Sequence, residues 1–266
     1  MFNRLSGTTI AAALRDKPMV AVGGVVVLFL FGWWFFAADS RPLPDFSRYD
    51  QVPELKQAFY DYLTPIVREQ NDRLREERRS LLALADKQQL GEQLNLLDRW
   101  RVRRLAETYA VPEELTVAEQ LEILLQRVDV VPLELALVQA AKESAWGRSR
   151  FAVKANNLFG HWCFEPGCGL VPLARGTGKR HELRVYASVS DAIASYMHNL
   201  NTHPRYRAFR ELRARQRDRD VALSARFLAD GLLYYSERRE DYVQEVKAMI
   251  GQYREFTTRQ LEDTQA

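Results

Sequence analysis

Residues 136–160 read ALVQAAKESAWGRSRFAVKANNLFG, and both fold and chemistry turn on how this stretch is built. Pro132 can open a helix at its first turn, and Trp146-Gly147 can close one with a glycine cap. Between them Leu133, Leu135, Ala136, Leu137, Val138, Ala140 and Ala141 are apolar on most sides, which predicts a central, buried helix. Glu143 emerges at its end, where core meets cleft. Partial desolvation there disfavours the ionised form, and a carboxyl group still protonated near neutral pH can donate a proton to a leaving oxygen. The alternative is an ordinary polar residue on an exposed last turn. Against it stand Ser144, Trp146, Arg148, Ser149 and the turn Asn156-Asn157-Leu158-Phe159-Gly160, whose amide and aromatic groups suit sugar rings.

Upstream, Pro18 to Ala38 carries no charge, and a helix of that length at about 1.5 Å per residue covers the roughly 30 Å hydrocarbon core of a bilayer. Arg4, Arg15 and Lys17 precede it with Asp16 alone opposing them, so the positive-inside rule places the N-terminus in the cytoplasm and the remainder in the periplasm. Trp33-Trp34-Phe35-Phe36 would sit at the outer interface. A cleaved signal peptide also begins with a charged region before an apolar run. The length of this run and its aromatic end favour an uncleaved anchor in the inner membrane.

Asp39–Tyr49 reads as a linker. Val52–Asp86 then shows helical periodicity with a charged run, VREQNDRLREERRSLLAL, most simply a solvated helix face. Further helices are expected at about Leu90–Tyr109 and Thr116–Val128, packing against or extending the catalytic domain, with a partner-binding arm as the other use. The spacing of Cys163 and Cys168 around Glu165-Pro166-Gly167 allows a turn that brings the thiols together, and an oxidising periplasm predicts a disulfide. With His161 and His181 they make no standard zinc spacing, so no metal is expected.

Gly169–Ala174 and Glu182–Ala187, separated by RGTGKR, predict a β-hairpin with Pro172 on an edge strand. By the period-two rule Glu182, Arg184 and Tyr186 share the polar face, which can line a cleft. The string Gly176–Lys179 lacks both the earlier glycine and the Ser or Thr of a phosphate loop, and HExxH and GxSxG are absent. Val189–Thr202 is expected as a helix with Ala192, Ala194, Tyr196 and Met197 inward, followed by helices at Leu223–Leu233 and Asp241–Tyr253.

The strings QAAKESAWGRSRFA and NNLFG, VYASVSDAIASYMHNLNTHPRYRAFR, and LLYYSERREDYVQEVKAMI closely resemble the Bax-type glucosaminidases of Gram-negative bacteria, a branch of glycoside hydrolase family 73. The resemblance runs from about Ile123 to Ile250 and more weakly back to Pro53; ESxWG alone is shared with lytic transglycosylases. It implies a lysozyme-like, mainly α fold with a small β-hairpin lobe. It also implies an endo-β-N-acetylglucosaminidase that cuts peptidoglycan on the reducing side of N-acetylglucosamine. On this resemblance Tyr235 falls where the family carries a tyrosine near the scissile bond, and Tyr242 matches a second aromatic position. Related flagellar enzymes carry an acid in the first hairpin strand, where this chain has none; Glu182 and Glu165 are the alternatives by position, and substrate assistance by the 2-acetamido group needs neither.

The 266 residues, 47% hydrophobic and 27% charged, are globular in composition, and a formal net charge of +3 leaves no nucleic-acid footprint. The expected division is a cytoplasmic tail over 1–17, a transmembrane anchor over 18–38, a linker over 39–50, a helical region over 51–122, the catalytic domain over 123–255 and a tail over 256–266. The expected catalytic set is Glu143, Tyr235 and Glu182. Trp146, Asn157, Phe159, Arg184 and Tyr242 are expected at the substrate, with Arg148 and Arg150 as further contacts for the polymer's carboxylates. No metal or organic cofactor is expected, since side chains can supply both acid catalysis and charge stabilisation. A lytic transglycosylase or a non-catalytic wall-binding scaffold are the other readings.

Overall fold

Helix-end chemistry in the sequence is realised residue by residue. Thr116 and Glu119 form a reciprocal capping box, with Thr116 N–H donating to the Glu119 carboxylate at 2.8 Å and Glu119 N–H donating to Thr116 Oγ1 at 3.3 Å. Asn95, Ser149 and Ser188 accept from the backbone N–H three residues on, as N-caps do. The computed structural model describes residues 42–172, 178 and 180–265. Among them are nine α-helices: α1 Val52–Gln89, α2 Leu96–Thr108, α3 Val117–Arg127, α4 Leu133–Ser144, α5 Arg150–Ala155, α6 Val189–Thr202, α7 Arg207–Asp218, α8 Ala225–Leu228 and α9 Arg239–Gln265. Short 3-10 turns lie at Phe46–Arg48, Pro204–Tyr206 and Ala229–Leu232.

The chain is mainly helical, with a small sheet. α4 is the central element: Leu135, Ala136, Leu137, Val138, Ala140 and Ala141 are all buried, and the helix packs against α1 and α9. The long α1 lays Leu55, Phe59, Leu63, Ile66 and Val67 against this core. On its solvent side Arg73 pairs with Glu69, Arg75 with Asp72 and Arg79 with Glu76, so this part of the charged run is a solvated helix face, whereas Gln70, Asn71 and Arg78 of the same run turn inward.

Two differences from the sequence reading have physical causes. The linker ends earlier than residue 50, because Phe46 is only 1% exposed and packs against Phe59 with ring centroids 5.4 Å apart. The C-terminal tail is helical, since α9 runs on to Gln265. The helical region 51–122 packs against the catalytic segment, as one of its expected uses had it, and the two share one hydrophobic core among the described residues. Among the described residues no helix is long and apolar enough to cross a membrane, and the expected anchor at 18–38 lies outside them.

The sheet has three short strands, β1 Trp162–Cys163, β2 Gly169–Leu170 and β3 Glu182–Arg184, in the order β1-β3-β2 with both pairings antiparallel. The expected hairpin is β2 with β3, shorter than the pattern suggested. β1 escaped notice because a two-residue strand carries no alternation to read. Cys163 and Cys168 are joined, with Cα atoms 6.1 Å apart, which ties β1 to the start of β2.

A buried ionic knot closes the far end of the core. Asp129, 2% exposed, accepts from Arg217 at 2.8 and 2.9 Å and lies 3.6 Å from Arg78 and 3.8 Å from Arg213. Arg213 also donates to the carbonyls of Gln126, Arg127, Asp129 and Val130, so its charge meets the C-terminal end of α3.

Candidate active site

Glu143 sits in the last turn of α4, one turn after Gln139. Spacing of four places both on one helix face. α4 ends at Ala145, Trp146 and Gly147, which have φ of 51°, 60° and 76°, and Trp146 N–H donates to Ala141 O at 2.8 Å. The Ser144 hydroxyl donates to Ala140 O and accepts from Gly147 N–H at 2.7 Å, so it locks the turn. This reversal directs the chain into α5 and the NNLFG turn, and Gly160 returns beside the acid: a Cβ there would stand 3.9 Å from Glu143 Oε2.

A polar relay fixes the carboxyl group. Tyr196 Oη donates to Gln139 Oε1 at 2.6 Å, and Gln139 Nε2 donates to Tyr242 Oη at 2.9 Å. With that lone pair used, the Tyr242 proton is free for its hydrogen bond to Glu143. Tyr235 stacks on Tyr242 at 5.3 Å and donates to Phe159 O at 3.2 Å, while the Phe159 ring stacks on Tyr196 at 4.0 Å. Tyr206 packs on Tyr235 at 5.9 Å. Four tyrosines from α6, the 3-10 turn after it, the segment before α9 and α9 itself therefore surround one acid.

Their electrostatics agree. Burial pushes the half-buried Glu143 carboxyl above the usual carboxylate range, against the opposing pull of the Tyr242 hydrogen bond and the Lys142 charge. Burial likewise raises Tyr206 to about 12, with Arg205 opposing and Glu143 adding to the rise. Tyr196, Tyr235 and Tyr242 are pushed up by burial first and by Glu143 among other neighbours. The arrangement is a carboxyl group that holds its proton more tightly than usual, with tyrosine hydroxyls around it.

The structure brings Glu143, Tyr235, Tyr242 and Phe159 together, and it engages Glu182, Asn157 and Trp146 in contacts of their own. Glu182 is buried and accepts from Gly167 N–H at 3.2 Å and Gly169 N–H at 2.9 Å, so its carboxylate organises the cysteine turn. Asn157, 1% exposed, donates to His161 O and Arg184 O and accepts from His161 N–H, which fastens the NNLFG turn to β3. Trp146 turns its ring toward α1, with Phe59 at 5.5 Å, Tyr60 at 5.4 Å and the Lys56 ammonium at 5.5 Å. Arg148 and Arg184 are exposed, and Arg150 reaches Val171 O at 3.5 Å. Behind Phe159, His161 is pressed down to about 4 by burial and by Arg184, and its Nδ1 meets Tyr186 Oη at 2.8 Å.

Sequence reading missed Gln139, Tyr196 as a relay member, and Tyr206. The four-residue spacing of Gln139 and Glu143 was a visible signal; nothing local marks Tyr206. Among the described residues Cys163, Cys168 and Glu182 are grouped as metal ligands would be, but both sulfurs are spent in the disulfide. A groove of about 930 Å³ opens at the other end of α4, beside Pro132 and Glu134. Its Glu134 is held by Arg254 through bonds of 2.7 to 3.1 Å.

The family described as mannosyl-glycoprotein endo-beta-N-acetylglucosaminidase (Glucosaminidase) matches residues 118–255, which hold every residue of this acid and tyrosine cluster. The chain belongs to the glucosaminidase family. It is similar to Protein bax of Escherichia coli (strain K12), with 33% identity over 207 residues covering 77% of this chain and 72% of that one. No solved structure matches it at a significant level. The glucosaminidase domain indicates glycan hydrolysis, and its family stretch begins within α3 and extends through most of α9.

Proposed function

We propose that this glucosaminidase is a membrane-anchored peptidoglycan hydrolase, an endo-β-N-acetylglucosaminidase acting on the β-1,4 bond with Glu143 as general acid. The observation that carries this reading is the raised carboxyl of Glu143, held by Tyr242 and enclosed by Tyr196, Tyr206 and Tyr235. Protonated Glu143 gives its proton to the glycosidic oxygen as the bond to the anomeric carbon breaks. Glu182 is engaged by two backbone N–H groups. The positive charge at the anomeric carbon therefore falls to the substrate's own 2-acetamido oxygen, which closes on that carbon. Water then opens the ring, Glu143 taking up the proton that water loses. Tyr235 and Tyr242 keep the acid oriented, and exposed Arg184 and Arg148 meet the polymer's carboxylates. Residues 18–38 cross the inner membrane with the N-terminus in the cytoplasm, which puts residues 39–266 in the periplasm beside their substrate.

The test is mass spectrometry of glycan fragments released from peptidoglycan by residues 41–266, with Glu143→Gln alongside. Fragments ending in reducing N-acetylglucosamine, absent with the variant, are expected. Anhydro sugars would make the protein a lytic transglycosylase, and retained wall binding without fragments would make it a scaffold.

A further inference from the structure

α2 is apolar on two opposite sides. Val102 and Ala106 face the core, with Leu105 partly packed on it. At about 100° per residue, Leu96, Leu97 and Trp100 fall on the other side. They are 86%, 62% and 55% exposed, and Leu90, just ahead of the helix, is 76% exposed. Two apolar sides on one short helix are not what solvation requires, because a surface helix normally turns its second side polar.

Around this ridge stand Arg99, Arg101, Arg103 and Arg104, all exposed. Arg99 donates to Leu94 O at 3.0 Å, Arg101 reaches Ser80 Oγ at 3.4 Å, and the Arg104 guanidinium lies 5.5 Å above the Trp100 ring. Among the described residues none of the four makes a salt bridge, whereas on α1 Arg73, Arg75 and Arg79 are each paired with a carboxylate. Within residues 90–108 the exposed acids are Glu92 and Glu107, with Asp86, Glu113 and Glu114 beyond them, and Asp98 is turned inward against Lys87 at 3.1 Å. The face therefore joins protruding leucines and a tryptophan to an excess of unpaired guanidinium groups.

We propose that this face of α2 docks onto the anionic phospholipid surface of a bilayer. An interfacial helix lowers Leu and Trp side chains about 5–10 Å into the headgroup boundary while Arg side chains reach phosphates at its edge. A purely apolar partner groove would leave the four guanidiniums unanswered. A tether keeps the domain near such a surface, although α2 rests beside Ser80 and Lys87, roughly 30–40 Å along α1 from the Phe59 that Phe46 packs against. On the anchor reading above, Phe46 is already in the core and lies eight residues after Ala38, so extended chain holds it within roughly 28 Å of the bilayer. The docked face would then fix the orientation of a domain whose tether already keeps it near the membrane.

The test uses residues 41–266, which carry the whole described core and lack the apolar run 18–38, so it reads this face independently of the anchor and of catalysis. Cosedimentation with vesicles of phosphatidylglycerol and phosphatidylcholine is compared with vesicles of phosphatidylcholine alone. Binding to the anionic vesicles, weakened by salt, is expected. Arg103→Gln with Arg104→Gln should lower partitioning roughly 30-fold, the equivalent of about 1 kcal/mol per charge. Leu96→Ser with Leu97→Ser should weaken it at unchanged charge. Both pairs are at exposed positions, and an unchanged far-UV circular dichroism spectrum with an unchanged melting temperature confirms the fold. Absence of binding at low salt, or binding that neither pair diminishes, overturns the proposal. So does a concentration-dependent dimer of 41–266 that Leu96→Ser with Leu97→Ser abolishes, which would give the face to a second copy of the chain.

Discussion

Gly147→Ala tests how the N-terminal segment holds the catalytic helix in place. Gly147 has φ of +76°, and a Cβ built there would stand 2.5 and 2.8 Å from two ring carbons of Phe46. The left-handed conformation costs an alanine about 1 kcal/mol or more. Phe46 is buried against Phe59, so its ring cannot step aside, and overpacking of this kind adds about 1–3 kcal/mol. The sum is about 2–5 kcal/mol, which for a domain of this size lowers the melting temperature by roughly 4–20 °C. Gly167 supplies the control, since its φ is +81° but nothing lies within 4 Å of its Cβ position; Gly167→Ala should cost only the conformational part, about 1 kcal/mol. Thermal melts of residues 41–266 followed by circular dichroism measure both, and glycan release measures the consequence at Glu143, four residues upstream. Equal melting temperatures for the two variants would refute the claim that Phe46 packing secures the end of α4. Adding Phe46→Leu to Gly147→Ala should return part of the lost stability.

Two further outcomes follow from the buried polar groups. Asp129→Asn leaves Arg78, Arg213 and Arg217 without their carboxylate and should cost about 3–5 kcal/mol at pH 7 in urea unfolding. Burial alone would raise this acid, but Arg217, Arg213 and Arg78 together hold it below its usual 3.8. Its contribution is thus fully present above about pH 4 and lost as pH falls through the lower folded value, so the gap between variant and native protein should narrow below pH 4. A gap that stays constant down to pH 3 would contradict the assignment. In Tyr242→Phe, Glu143 loses the hydrogen bond that pulls its raised carboxyl back down, so it stays protonated to higher pH. The alkaline limb of the activity profile should therefore move upward; an unmoved limb, or one displaced downward, would show that Tyr242 does not act on the acid.

The sequence by itself determined what depends on near neighbours. The apolar run Leu133–Ala141 specifies a buried helix wherever it lies, and Glu143 at its end is identifiable because desolvation at that position follows from the run itself. Ser188 and Thr116 set helix starts through bonds spanning three residues, and Val189–Thr202 is a helix within the limits its pattern gave. The cysteine turn closes over five residues, short enough to read locally. Tertiary structure alone decided what each polar side chain is for. Glu182, Glu165 and Glu143 differ little as letters, yet only the fold turns two backbone N–H groups onto Glu182 and four tyrosines around Glu143. Gln139 and Tyr242 are 103 residues apart, and Asp129 and Arg217 are 88 apart. No periodicity encodes such pairings, because they arise from the docking of whole helices, where burial removes water and leaves each polar group to the partner the packing supplies.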